Sequence, residues 1–129
     1  MSSKAPVKVD ESLLLNWGTR IGVAARNEGV KAAQMEGLIA SLDSIEGREA
    51  LLVTAAFALR QAERLGTGRN MAKLVAQAML EVYEARGGKE EARKLLGFAK
   101  WVYEALPRGI RGRPEQLTLS ELLKQVIGR

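Results

Sequence analysis

At 129 residues, with 47% hydrophobic and 27% charged side chains, the chain has the composition of one folded domain and not that of a disordered segment. It contains no cysteine and no histidine, which excludes disulfides, thiolate nucleophiles, imidazole acid–base catalysis and the usual zinc and iron ligands. The net charge of +5 and a pI near 9.8 point toward an anionic partner, and the placement of that charge says more than its size.

Residues 1–9 contain Pro6 and few large apolar side chains, so they read as a flexible tail ahead of one domain over 10–129. A first helix is expected after Asp10 as its cap, with Leu13, Leu14, Trp17, Ile21 and Ala24 at helical spacing. Gly18 and Gly22 either weaken that helix or clear a strip along which another helix approaches. Beyond Gly29 a second helix carries a narrow stripe of Ala32, Met35, Leu38, Ile39 and Leu42.

Asp43 followed by Glu46 has the spacing of a reciprocal cap, so a third helix is expected to start there. Its broad face of Leu51, Leu52, Ala55, Ala56, Leu59, Ala62 and Leu65 marks it as the central core helix, ending at Gly66. Thr67 is the expected cap of a fourth helix, whose Met71, Leu74, Val75, Ala78, Met79 and Val82 give the strongest helical period in the chain. After Gly87–Gly88 a fifth helix spans about Lys89 to Leu106, with Leu95, Leu96, Ala99, Val102, Tyr103 and Leu106 inward and Pro107 as its stop. A last short helix opens with a Thr118/Glu121 capping box and buries Leu119, Leu122, Leu123 and Val126. No stretch alternates apolar and polar, so the expectation is an all-α, single-domain bundle of five to six helices.

Residues 1–85 carry ten basic and ten acidic side chains, and residues 114–129 carry two of each. The excess lies between them, where Arg86, Lys89, Arg93, Lys94, Lys100, Arg108, Arg111 and Arg113 face only Glu90, Glu91 and Glu104. On the fifth helix Arg93, Gly97 and Lys100 fall at i, i+4 and i+7, so two cations share one side with a gap between them. Lys94 and Trp101 are also seven apart, and the indole either stacks on a base near that strip or, as the simpler reading, closes the core. The loop "LPRGIRGRPE" extends the charge with three arginines, each able to fork onto phosphate oxygens, unless it is a solvated connector.

Other candidates are thinner. "GTGRN" at 66–70 lacks the lysine and hydroxyl residue of a P-loop; it reads as a helix–helix turn, with Thr67, the following amides and Arg69 as an alternative seat for one phosphate. Glu90 and Glu91 point about 100° apart on a helix and suit a first turn better than a catalytic pair. Glu81 and Glu84, with Tyr83, are the sole cluster an enzyme or a magnesium site would use, and no third carboxylate supports it. No cofactor and no metal are expected. The "MSSKAPVKVDES" segment has no signal-peptide core and no run approaches the roughly 18 apolar residues of a membrane span, so a cytoplasmic protein without membrane contact is expected.

The segments "AAFALRQAERL" (Ala55–Leu65) and "EARKLLGFAKWVYEAL" (Glu91–Leu106), followed by a basic loop and a short last helix, resemble the small helical subunit of CRISPR effector complexes. The resemblance covers about residues 45–127 in helix order, length and charge. It implies a non-catalytic subunit present in several self-associating copies within a multisubunit antiviral ribonucleoprotein, contacting guide or target strand through a basic face. Carried onto this chain, the contacts would be Arg69 and Lys73 of the fourth helix, Arg93, Lys94 and Lys100 of the fifth, and Arg108, Arg111 and Arg113 of the loop. The expected partners are therefore RNA or single-stranded DNA and other subunits of the complex. The alternative is a helical protein–protein adaptor or oligomeric scaffold that touches no nucleic acid. Absent cysteine and a preference for arginine are compatible with a thermophile.

Overall fold

The computed structural model describes residues 9–106 and 116–128, and within them the chain forms six helices and no strand. These are α1 (Glu11–Asn27), α2 (Ala32–Leu42), α3 (Ala50–Leu65), α4 (Arg69–Glu84), α5 (Lys89–Ala105) and α6 (Leu119–Ile127). The all-α expectation holds. Of the expected tail only Val9 is described, half-buried against the core.

α1 begins where Asp10 accepts a hydrogen bond from the Leu13 amide at 2.9 Å, and buries Leu14, Ile21, Ala24 and Ala25. Gly18 and Gly22 form the seam with α5. A Cβ on Gly18 would stand 2.7 Å from the Phe98 ring, and one on Gly22 would stand 2.6 Å from the Ala99 carbonyl oxygen, so no larger residue fits this approach without a shift. α4 also packs against α1 and buries all six of its expected residues along one face. Burying each leucine, methionine or valine contributes about 1.5–3 kcal/mol, counted as area removed from water.

α3 departs most from expectation. Residues 43–49 are turn and bend, and the helix starts at Ala50, because the Asp43 carboxylate pairs with Arg93 instead of capping and Gly47 takes a left-handed φ of +85° that no continuing helix allows. It is also not central: Leu51, Thr54, Ala58 and Ala62 face inward, whereas Leu52, Leu59 and Leu65 are exposed, since α4, α2 and, more lightly, α5 cover only its inward side. In α2, Met35, Leu38 and Leu42 are buried as expected, but Ala32 is exposed and Gln34 is buried, its side-chain oxygen accepting from the Lys31 amide at 3.0 Å. α6 has its capping box, with the Thr118 amide donating to Glu121 at 2.9 Å and the Glu121 amide to Thr118 Oγ1 at 3.3 Å. Only Leu122 of it is fully buried, in a small second cluster with Val23, Val102, Leu106 and Leu117; Leu123 and Val126 are exposed.

Side-chain ties fix which helix ends meet. Tyr103 donates its hydroxyl to the Val30 carbonyl, and Arg26 lies over the Tyr103 ring at 4.1 Å while donating to its carbonyl at 2.7 Å. Together with the turn at Gly66, these contacts gather the C-terminal ends of α1, α3 and α5 and the N-terminal ends of α2 and α4 at one end of the bundle. At the opposite end Arg48 donates to the carbonyls of Tyr83 and Gly87, and Lys89 to that of Ile45 at 2.7 Å.

Candidate nucleic-acid interface

Arg93, Lys94 and Lys100 sit on α5 as the sequence assigns them, but in three dimensions each faces a carboxylate of this same chain. Arg93 pairs with Asp43 beyond the end of α2, Lys94 with Glu11 of α1 at 2.9 Å, and Lys100 with Glu36 of α2 at 3.4 Å and Glu104 at 3.8 Å. The Glu11 carboxylate, by hydrogen bond and charge, holds the Lys94 ammonium pKa above its ordinary value. Glu90 and Glu91 add two more acids, the latter accepting the Gly88 amide at 2.8 Å in the first turn, as expected. The cationic strip expected on α5 is therefore largely neutralised. Arg108, Arg111 and Arg113, with Pro107 and Pro114, lie outside the described residues.

A different cluster takes its place. Arg60 and Arg64 occupy successive turns at the end of α3, and Arg69 and Lys73 successive turns at the start of α4. Among the described residues Arg60, Arg64 and Lys73 have no carboxylate partner, and Arg69 meets only Glu63 at 3.8 Å with both side chains at least 70% exposed. Lys31, also unpaired, follows Val30, whose side chain touches Gly68 at the head of α4. Leu106, the last described residue before the arginine segment, follows Tyr103 at this same end. Among the other described cations, Arg86 and Lys124 make no ion pair within 4 Å, while Arg20, Arg26, Arg48 and Lys89 are spent on backbone carbonyls.

Between α3 and α4 an open groove of about 460 Å³ borders this cluster on its α4 side, lined by Leu59, Ala62, Glu63, Arg69, Asn70, Ala72 and Lys73 but not by Arg60 or Arg64. Arg69 and Lys73 are thus brought together as expected, whereas Arg93, Lys94 and Lys100 are not joined to them. Sequence reasoning missed Arg60 and Arg64 because their half of the chain is neutral in total. The signal was their i, i+4 spacing next to a helix end.

"GTGRN" is the helix–helix turn expected of it, and the alternative reading as an anion seat fails because the seat is already filled. Glu28 Oε1 accepts from the amides of Asn70 at 3.1 Å and Met71 at 3.4 Å, and Thr67 donates its hydroxyl to the Glu28 carbonyl at 3.0 Å. Thr67 is therefore not the cap; Gly68, at φ +81°, precedes the helix, and the carboxylate of Glu28, just past the end of α1, satisfies two of its free donors. The cluster of Glu81, Glu84 and Tyr83 is also dispersed: Glu81 accepts from the Trp17 indole at 3.2 Å, while Tyr83 donates to Glu49 at 3.4 Å beneath the Arg48 guanidinium. Among the described residues no three acidic side chains converge in a way that would hold a metal ion, and no helix is long and apolar enough to cross a membrane.

Trp101 is the clearest correction on α5. It does not close the core but stands 71% exposed, lining a cleft of about 270 Å³ with Leu15, Lys94, Gly97 and Phe98. Gly97 has open space where a side chain would sit, so the gap expected between the α5 cations exists.

The chain matches no known protein-family model, no curated protein and no solved structure.

Proposed function

We propose that the chain is a non-catalytic, nucleic-acid-binding helical subunit of a cytoplasmic ribonucleoprotein, the role implied by its resemblance to the small subunit of CRISPR effector complexes. Strand contact is assigned to the end of the bundle where α3 gives way to α4. The observation that carries this is the contrast in pairing: Arg60, Arg64 and Lys73 present free charge on one exposed end, whereas the α5 cations are met by carboxylates. Free cations neutralise phosphates and release counterions; paired ones first have to give up a partner. With no aromatic side chain lining the groove, binding there is directed to the backbone and depends on salt rather than sequence.

The test is binding of labelled single-stranded RNA and DNA across a salt series. Replacing Arg60, Arg64 and Lys73 by alanine is expected to weaken binding at least about tenfold at low salt and to flatten the salt slope by about 2, since each single-strand phosphate contact contributes about 0.7. Replacing Arg93, Lys94 and Lys100 should leave affinity within about twofold. Equal losses from the two triple variants, or no binding at low salt, would remove the assignment. The second reading, an adaptor without nucleic-acid contact, is favoured by one observation, the exposure of Trp101.

A further inference from the structure

Trp101 sits at the centre of the solvent-facing side of α5, and a tryptophan this exposed is unusual outside an interface. Its surroundings continue the apolar surface. Phe98 and Leu15 floor the cleft, and Leu15 also lines a neighbouring groove of about 570 Å³ with Leu119 and Leu123, so apolar surface runs from α5 across α1 onto α6. Patches of this kind mark docking sites.

The charge around the cleft decides what docks. Lys94, the one charged residue among those lining the cleft, is already paired with Glu11. Immediately beside the cleft, and sharing Lys94 with it, lies an acidic notch of about 140 Å³ lined by Asp10, Glu11, Glu90 and Glu91. Glu91 lies six positions before Gly97 on α5, a distance of about 9 Å along the helix. A phosphate backbone laid over the Trp101 cleft would meet net negative charge, while a basic side chain would find uncompensated carboxylates within reach.

We propose that this α1–α5–α6 face is a docking surface for a partner protein segment that presents an apolar anchor to the Trp101 cleft and a lysine or arginine to the acidic notch. It lies on a different part of the bundle from the cluster at Arg60, Arg64 and Lys73 and stands independently of the nucleic-acid reading. Its energetic centre is the indole, with the notch setting orientation and rejecting acidic competitors.

The two tryptophans give separate indole N–H signals in an NMR titration, and Trp17, bonded to Glu81, serves as the internal reference. The probe is a synthetic helical peptide of leucine, alanine and arginine; its control replaces each arginine by glutamate. The arginine peptide is expected to shift the Trp101 signal saturably while leaving Trp17 in place, and the glutamate peptide to bind at least tenfold more weakly. Gly97→Leu, which fills the cleft from a position with open space, and Glu90→Lys with Glu91→Lys should each weaken binding by about tenfold. The proposal fails if neither peptide moves Trp101. It also fails if single-stranded RNA moves it in their place, which would make the cleft a base-stacking site. A Trp101 shift that follows protein concentration alone would likewise overturn it, since the occupant would then be a second copy.

Discussion

The fifth helix and the end of the bundle joining α3 to α4 hold similar numbers of cations, and they differ in what stands opposite. Around α5 the neighbouring α1, the end of α2 and the helix's own last turns supply Glu11, Glu36, Asp43 and Glu104, so its charge is spent within the fold. At the α3–α4 end the acids in contact, among the described residues, are Glu63, in a long exposed pair, and Glu28, whose carboxylate is committed to the α4 amides. Charge counted along a chain is therefore a poor guide to charge on a surface. Of the most basic stretch of sequence, the described helix α5 is a packing element, and the unpaired cations of the α3–α4 end come from a stretch that is neutral in total.

If α5 is a packing element, its hold on α1 resides in the glycine seam, and the same substitution on its two sides should have opposite signs. Gly22→Ala drives a methyl against the Ala99 carbonyl and the Val102 side chain and is expected to destabilise by about 1–3 kcal/mol in urea unfolding. Gly97→Ala, on the open side of α5, is expected to stabilise by about 0.5–1 kcal/mol through helix propensity alone. A neutral Gly22→Ala would mean that the ion pairs, not the seam, position α5, and the comparison would have to be redrawn.

The converse experiment releases the charge that α5 holds in check. Glu11→Gln, Glu36→Gln and Asp43→Asn together leave Arg93, Lys94 and Lys100 with one exposed partner, Glu104, and should raise affinity for single-stranded RNA roughly three- to tenfold at low salt, with a steeper salt slope. Stability should change little, because these pairs are solvent-exposed. Unchanged binding would show that geometry, and not neutralisation, keeps α5 from a strand.

What was legible in the sequence follows the same division between local pattern and distant partner. α4 was readable residue by residue because its apolar positions occupy one arc and nothing else competes for that arc. α3 was not, since its leucines, alanines and Val53 cover most of its circumference; period alone cannot say which side α2 and α4 will cover. The cations were readable as positions and unreadable as charges: Arg93 finds its carboxylate 50 residues away and Lys94 finds its own 83 residues away. Glu28 as the cap of α4 likewise leaves no local mark. Trp101 is the exception. The inward set of Leu95, Leu96, Ala99, Val102 and Tyr103 places it about 160° from the centre of the buried arc, so strict use of the helical period would have put it outside.

The smallest expected effect concerns α6, the helix whose apolar stripe was expected inside and is mostly outside. Its start rests on the Thr118 amide and hydroxyl, and the amide's hydrogen bond to Glu121, foremost, holds that carboxyl below its ordinary pKa of 4.5. The group is depressed in the folded state, so its contribution is present above pH 4.5 and is lost as pH falls through the lower folded value. NMR titration of the Glu121 side chain should give a midpoint below that of a free glutamate, and Thr118→Val should raise it part of the way, since the backbone donor remains. A midpoint already at the ordinary value would mean that the capping box does not hold α6, leaving its attachment to Leu122 and the small cluster around Val102 and Leu106. That would matter for the Trp101 face as well, because Leu119 and Leu123 extend its apolar surface only if α6 stays where Thr118 and Glu121 start it.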